Sequence, residues 1–135
     1  MKQLTLVLAA IFLLTGPTTA QNNVSVASLP AVVVKTVPQS GDVAVDPLVK
    51  ELRVTFSKEM MTNEMWSWVQ VSAATFPKTT SKSHFLEDKR TCVLPVQLER
   101  GKTYAIWINS DQHESFRDTT NRPAVHYLLV FQTKP

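Results

Sequence analysis

The sequence is poor in cysteine and glycine. Its 135 residues include one cysteine and three glycines. A single thiol cannot form a disulfide within the domain, which excludes a disulfide-stapled scaffold. The cysteine lies in "RTCVLPVQL", where Cys92, Leu94 and Val96 alternate with residues of the other strand face. This spacing predicts that Cys92 is a small buried hydrophobe and not an accessible, polarised nucleophile.

Clustered positive charge is also missing. The 14 lysines and arginines face 11 acidic residues, for a net charge of +3. The basic residues are scattered, with only short pairs such as Lys89-Arg90. Nucleic-acid binding needs a concentrated basic stripe, so we expect no nucleic-acid partner.

A long apolar run occurs only at the N-terminus, within "MKQLTLVLAAIFLLTGPTTA". Lys2, the apolar run 4–14 and the small residues 18–20 have the order of a secretory signal peptide, residues 1–20. The run is shorter than the roughly 20 apolar residues that span a bilayer. We therefore expect cleavage after Ala20, a flexible segment at 21–30, and an exported protein, periplasmic or extracellular, with no transmembrane segment after cleavage.

Helical periodicity is scarce after residue 30, and a period of two dominates instead. Runs of alternating apolar residues separated by turn residues are typical of an antiparallel sandwich. We predict one domain, residues 31–135, with an all-β fold: an antiparallel Ig-like (Greek-key) β-sandwich of about seven strands. The candidate strands are 31–37, 50–56, 65–71, 83–86, 91–98, 103–109 and 125–133.

The segment "LERGKTY" carries a more specific signal. Leu98, Gly101 and Tyr104 have the spacing of a tyrosine corner, in which the tyrosine hydroxyl bonds to backbone a few residues upstream. We interpret all three as structural residues.

Several motifs together resemble the bacterial Ig-like domains of S-layer and other exported proteins, the SbsA or Big-5 type. The turn after Asp118 departs from the family pattern, because Asn121 stands where glycine is usual. Asparagine tolerates the left-handed conformation, so we expect the turn to be kept. The resemblance implies a spacer, stalk or binding module, usually without catalysis. The motifs are "VVVKTVPQSGDVAVDP", "ELRVTFSKEM", "LERGKTYAIWIN", "FRDTTNRPAVHY" and "LVFQT".

The polar loop "NSDQHESFRD" (109–118) is the best candidate for a metal site. Asp111, His113 and Glu114 are potential ligands, and "NSDQHES" is similar to a loop of periplasmic copper-resistance proteins of the CopC type. However, that family supplies a histidine at the mature N-terminus, where this chain has Gln21. A metal carrier is therefore an alternative interpretation, and a solvated loop without a cofactor is preferred.

Catalysis has little support in the sequence. Ser110, Asp111 and His113 are too close together for the usual triad roles, and no nucleophile elbow is present. We predict that the protein is not an enzyme.

The tryptophans offer a binding surface. Trp66 and Trp68 share one face of "MWSWVQV", and Trp107 lies opposite the face of Tyr104. With the valines and isoleucines taken as core, the three indoles are predicted to face outward as an apolar platform, to which Leu128 and Val130 add. The contrary possibility is that the indoles pack under the loop at 72–82.

Three functions follow from these patterns. The leading interpretation is an exported, non-enzymatic Ig-like module that contacts an unknown protein or cell-envelope component. The alternatives are the metal carrier and a carbohydrate-binding module that uses the surface tryptophans.

Overall fold

Eight short strands form two antiparallel sheets in the computed structural model, which describes residues 2–3, 9–17 and 23–135. Part of the apolar run and the expected cleavage site at 18–20 lie outside the described residues. Within the described part of the chain, no helix has the length and apolar character needed to cross a membrane. A single turn of 3-10 helix spans Ala73–Thr75. The strands are β1 Val33–Val37, β2 Glu51–Phe56, β3 Trp68–Gln70, β4 Lys78–Thr79, β5 His84–Phe85, β6 Thr91–Gln97, β7 Thr103–Ile108 and β8 Tyr127–Gln132.

The strand order is that of an Ig-like sandwich. One sheet runs β1-β2-β6, with β4 and β5 both paired to the far side of β6, and the other runs β3-β7-β8. This matches the A-B-E-D and C-F-G sheets of a constant-type Ig domain. The predicted all-β sandwich is confirmed. The eighth strand, β4, was not expected, because its two exposed residues carry no apolar alternation.

The core lies between the sheets and is built by alternate residues. On β2, Leu52, Val54 and Phe56 are fully buried. Tyr104, Ile106 and Ile108 of β7 are equally buried, and Leu129 and Phe131 of β8 pack against them. Period-two alternation places such residues on one face of a strand. Burial of each large side chain stabilises the fold by about 1.5–3 kcal/mol.

The inner strand β6 is buried on both faces over residues 91–94. It has β2 on one side and β5 on the other, and Cys92 is fully inaccessible. Burial raises the pKa of the Cys92 thiol to about 11, although a hydrogen bond with Ser83 opposes this. The prediction of a buried, unreactive cysteine agrees with this setting.

Pro95 stands in β6 where the pairing on one side is interrupted. β5 pairs with residues 92 and 93, and β4 pairs with residues 96 and 97. The amide of Val96 donates to Lys50 on the β2 side, so the position of the missing Pro95 N–H faces the gap between β4 and β5. Proline therefore costs no ladder hydrogen bond at this position.

The turn between β6 and β7 has the geometry of the predicted tyrosine corner. The backbone amide of Glu99 donates to the Tyr104 hydroxyl at 2.8 Å. Gly101 has a φ of 62°, in the left-handed region that favours glycine. The side chains of Leu98 and Tyr104 are buried beneath this turn.

Candidate functional site

The polar loop that follows β7 begins at a buried asparagine. Asn109 is fully inaccessible and has a φ of 58°. Its side-chain amide donates to the carbonyl oxygens of Phe116 (2.9 Å) and Ala124 (3.1 Å), and its carbonyl accepts from the Phe116 amide at 2.9 Å. Asn109 therefore fixes the return path of the loop, and Phe116 enters the core beside Phe56 with ring centroids 5.1 Å apart.

The loop ends at a buried carboxylate. Asp118 is 1% exposed, and its Oδ1 accepts hydrogen bonds from Thr120 and from the amide of Arg122. Its Oδ2 lies 2.8 Å from the Lys58 ammonium. Burial alone would raise the pKa of Asp118, but the ion pair with Lys58 and these hydrogen bonds hold that pKa well below its usual range. Asp118 thus stays ionised and organises the turn in which Asn121 adopts a φ of 65°.

Lys58 joins this turn to the N-terminal segment. Besides Asp118, its ammonium donates to the carbonyl oxygens of Ala27 (3.1 Å) and Leu29 (2.6 Å). Arg122 donates to the Ser28 carbonyl at 2.9 Å. The two basic side chains clamp residues 27–29 onto the turn. Because lysine donates but never accepts, three acceptors around one ammonium form a matched arrangement.

The middle of the loop is held by backbone but its side chains are exposed. Ser110 and His113 exchange two backbone hydrogen bonds, at 2.8 and 3.2 Å. The Asp111 side chain is 99% exposed. His126 stands between Asp111 Oδ1, 3.5 Å from its Nδ1, and Glu114 Oε1, 3.4 Å from its Nε2.

The three predicted metal ligands are not brought together. Asp111 and Glu114 flank His126, whereas His113 lines a groove of about 500 Å³ beside Trp68 and Ser115. Among the residues that the structure describes, no group of three histidine, cysteine or carboxylate side chains is placed to hold a metal ion.

The outward orientation predicted for Trp68 is wrong. Trp68 pairs with Ile108 across β3 and β7 and so shares its inward face. Its indole N–H donates to Ser83 Oγ at 2.9 Å, and its ring meets Phe116 edge-on with centroids 5.6 Å apart. Each face of "WSWV" carries a large apolar side chain, so alternation correctly separated Trp68 from Val69 but did not decide which of them faces inward.

Trp66 is also not part of an outward platform with Trp107. It is partly buried against the core cluster that contains Phe56 and Phe116. The Lys82 ammonium lies 5.9 Å from the centroid of its ring, and Lys82 also forms an ion pair with Glu64. A charged pair therefore borders the ring of Trp66.

Trp107 faces outward as predicted, but its neighbours are aliphatic. It pairs with Val69 on one side and Leu128 on the other, and the next register pair on that face is Ala105 with Val130. Leu128 is 39% exposed. We call these residues the outer apolar face: Val69, Ala105, Trp107, Leu128 and Val130. The polar pair Thr103 and Gln132, joined by a 3.0 Å hydrogen bond, closes it at one end.

At its other end, the outer apolar face borders an open concavity. This concavity has a volume of about 390 Å³ and is lined by Trp107, Ser110, Asp111, Gln112 and His126. One wall is therefore an indole and the rest is polar. The sequence signals for this arrangement were Trp107 and the loop residues, but the approach of His126 from the segment before β8 depends on the tertiary fold.

Comparisons with known proteins add information about the fold. No protein-family model matches the chain, and no curated protein matches it. Similar solved structures include the crystal structure of the S-layer protein rSbsC(31-844), at 19% identity and a TM-score of 0.51, which covers 80% of this chain. Domains 1-6 of surface layer protein SbsC are similar at 18% identity, with the same TM-score of 0.51 and 80% coverage.

The matched region is 14% of each of these S-layer chains, so the likeness is to a small part of a much longer protein. At this level of identity it demonstrates a shared fold. The chain has the β-sandwich fold found within an S-layer protein.

Proposed function

We propose that this protein is an exported, non-enzymatic Ig-like module of the SbsA or Big-5 type, which acts by binding a cell-envelope component through the outer apolar face. Export is supported by the signal-like residues at the N-terminus, and the likeness to S-layer protein domains is compatible with a role at the cell surface.

The outer apolar face is the observation that carries this proposal. An antiparallel sheet in a sandwich packs one face on the core and usually presents polar residues to water on the other. Here the outward positions of β3, β7 and β8 are occupied by valine, alanine, tryptophan and leucine, with a polar pair only at one end. A contiguous apolar surface of this kind typically marks a binding site.

The composition of the outer apolar face also suits a contact surface. Tryptophan is enriched among the residues that dominate binding energies, and aliphatic neighbours exclude water around it. Trp107 occupies the central strand β7, with Val69 and Leu128 on either side. We therefore assign Trp107 as the anchor of the contact.

A non-enzymatic role is supported by the state of the nucleophile candidates. Cys92 is buried with a raised pKa, so thiolate formation at neutral pH is disfavoured. Ser110 and His113 meet through their backbones, in a tight turn that closes on itself.

The proposal is tested by measuring how the purified protein binds to cell envelopes isolated from the source organism. Leu128→Lys places a charge in the outer apolar face, and we expect it to weaken binding by roughly tenfold or more. Val34→Lys is the matched control, because Val34 is 55% exposed on β1 of the other sheet. Equal binding by both variants and the parent protein would show that the outer apolar face does not take part in binding.

A further inference from the structure

We propose that the concavity beside Trp107 binds a sugar ring, so that the envelope component recognised by this domain is a glycan. The inference rests on the proposed contact function of the outer apolar face, and it specifies the chemical class of the ligand. It is carried by the lining of the concavity, by its charge and by the fixed loop that forms it.

The lining of the concavity has an apolar side and a polar side, and a sugar ring has both kinds of surface. A pyranose has an apolar face of C–H groups and a rim of hydroxyls. The electron-rich face of an indole attracts the polarised C–H groups, and Trp107 is the aromatic residue of this concavity. Small-molecule sites of roughly 300–1,000 Å³ typically combine an apolar wall with a few polar groups, and this concavity of about 390 Å³ falls in that range.

The polar rim offers both donors and acceptors. The Ser110 hydroxyl and the Gln112 amide each do both, the Asp111 carboxylate accepts, and the His126 ring supplies a further nitrogen. A sugar hydroxyl also donates and accepts, so a mixed rim suits it better than a rim of one kind. The contacts of His126 with Asp111 and Glu114, at 3.5 and 3.4 Å, are longer than hydrogen bonds, which leaves both carboxylates able to accept from a ligand.

The charge of the rim narrows the class of sugar. Two carboxylates, Asp111 and Glu114, stand at the concavity or beside it. An anionic sugar would bring like charges together, whereas a neutral or amino sugar avoids this repulsion, and an ammonium is also attracted to the indole face. We therefore assign the site to neutral or amino hexoses and exclude uronic acids and sugar phosphates.

The loop that forms the concavity is held before any ligand arrives. Asn109 anchors its start with three hydrogen bonds, and the Ser110–His113 turn holds the backbone on either side of Asp111 and Gln112. A fixed loop loses little conformational entropy on binding, which favours a ligand as weakly held as a single sugar ring.

The test is nuclear magnetic resonance of the isotopically labelled protein with a panel of methyl hexosides, glucosamine, glucuronic acid and glucose 6-phosphate at millimolar concentration. We expect a neutral hexoside or the amino sugar to shift the indole N–H resonance of Trp107. The indole N–H of Trp68, bonded to Ser83, is the internal control and should not move. The inference is overturned if no member of the panel shifts the Trp107 resonance, or if the two anionic sugars shift it most.

Variants of residues outside the buried core keep the test independent of folding. Trp107→Ala should weaken the binding of the responding sugar by roughly tenfold or more, and Asp111→Asn by several-fold. The Asp111 side chain is 99% exposed, so its replacement is not expected to disturb the fold. Glu59→Gln, a charge-matched control at an exposed residue before Met60, should bind as the parent protein does. Unchanged affinity in both Trp107→Ala and Asp111→Asn contradicts the inference.

Periodate oxidation of the envelopes separates this inference from the proposed function. Periodate cleaves the vicinal diols of sugars and leaves most protein contacts in place. We expect oxidised envelopes to bind much less of the protein than untreated envelopes do. If binding survives oxidation but is still lost in Leu128→Lys, the partner is a protein: the proposed function stands and the sugar site is wrong. If Leu128→Lys binds normally, the proposed function itself fails.

Discussion

One hydroxyl joins β6 to β7 across the tyrosine corner. The Tyr104 ring is stacked on Phe131 with centroids 5.3 Å apart, and only its oxygen reaches the Glu99 amide. Tyr104→Phe keeps the ring and removes this acceptor, so we expect the free energy of unfolding to fall by about 1 kcal/mol.

Urea denaturation measures this change. Tyr127→Phe is the matched control, because the Tyr127 hydroxyl makes no hydrogen bond within the part of the chain that the structure describes, and little change is expected there. Equal losses in the two variants would mean that the corner hydrogen bond contributes nothing.

Two asparagines in the left-handed region have different roles. Asn109 is fully buried with three side-chain hydrogen bonds, whereas Asn121 is exposed and contributes its backbone to the turn. Alanine at either position adds a cost of about 1 kcal/mol for its backbone conformation. Asn109→Ala also leaves buried partners unsatisfied, so its total loss should reach about 3 kcal/mol or more.

Thermal or urea unfolding of both alanine variants isolates the hydrogen bonds, because the backbone cost is common to the two. Asn121→Gly should be neutral or slightly stabilising, since glycine adopts this φ without strain. A loss in Asn109→Ala no larger than that in Asn121→Ala would contradict the anchoring role of Asn109.

At the level of single elements, the turn at Asp118 makes the stability of the fold depend on pH in the acidic range. The pKa of Asp118 is lowered in the folded protein relative to about 3.9 in the unfolded chain. Its contribution is therefore complete above that unfolded pKa and is lost as the pH falls towards the lower folded pKa. The pKa of Asp88, lowered by hydrogen bonds from Thr91 and Arg90 that outweigh burial, contributes in the same window.

We expect the free energy of unfolding to decrease as the pH is lowered below about 4, and Asp118→Asn to make that decrease shallower. Denaturant titrations at a series of pH values measure both slopes. Lys58→Met removes the partner of Asp118 and should also flatten the profile while lowering stability at neutral pH. Identical acid slopes in all three proteins would show that the ion pair does not shift this equilibrium.

The sheet β3-β7-β8 shows how far the sequence predicts the structure. The alternation of β7 and β8 correctly placed Tyr104 inside, and Trp107 and Leu128 outside. For β3 the same rule separated Trp68 from Val69 but assigned them to the wrong sides. Because side chains alternate along a strand, a shift by one residue moves every side chain to the opposite face of the sheet. The contacts of Trp68 with Phe116 and Ser83 determine which face of β3 packs on the core.

In the polar loop, the sequence predicted the exposed middle but not the buried ends. Its sequence suggested a solvated segment, and the exposure of Asp111 and His113 agrees with that interpretation. Its two ends, Asn109 and Asp118, are buried instead. Each is stabilised by groups distant in sequence, such as Lys58 and the carbonyl of Ala124, which local patterns cannot identify.

The corrected orientation of β3 predicts different costs for two tryptophan substitutions. Trp68→Ala removes an indole packed between both parts of the core, and we expect a loss of about 3–5 kcal/mol. Trp107→Ala acts on the outer face and should cost clearly less. Urea denaturation of both variants measures this difference. A loss in Trp68→Ala no larger than that in Trp107→Ala would contradict the inward position of Trp68.

At the scale of the whole molecule, the two sheets have different outer surfaces. On β1, the exposed Val34 and Val37 are interspersed with Lys35 and Thr36, whereas the outward positions of β3, β7 and β8 form one continuous apolar face. The Trp107 concavity lies at the end of this face, next to a loop that the core anchors at both ends. In the function that we propose, the sandwich is a rigid support for a contact surface on the sheet that contains β7.

Oxidative footprinting of the protein bound to cell envelopes shows whether the outer apolar face is the contact surface. Hydroxyl radicals modify accessible side chains, and mass spectrometry reports the rate at each residue. We predict that binding protects Trp107 and Leu128 and leaves the oxidation rates at Trp66 and Val34 unchanged. Protection at Trp66 or Val34, with Trp107 and Leu128 as reactive as in the free protein, would contradict it.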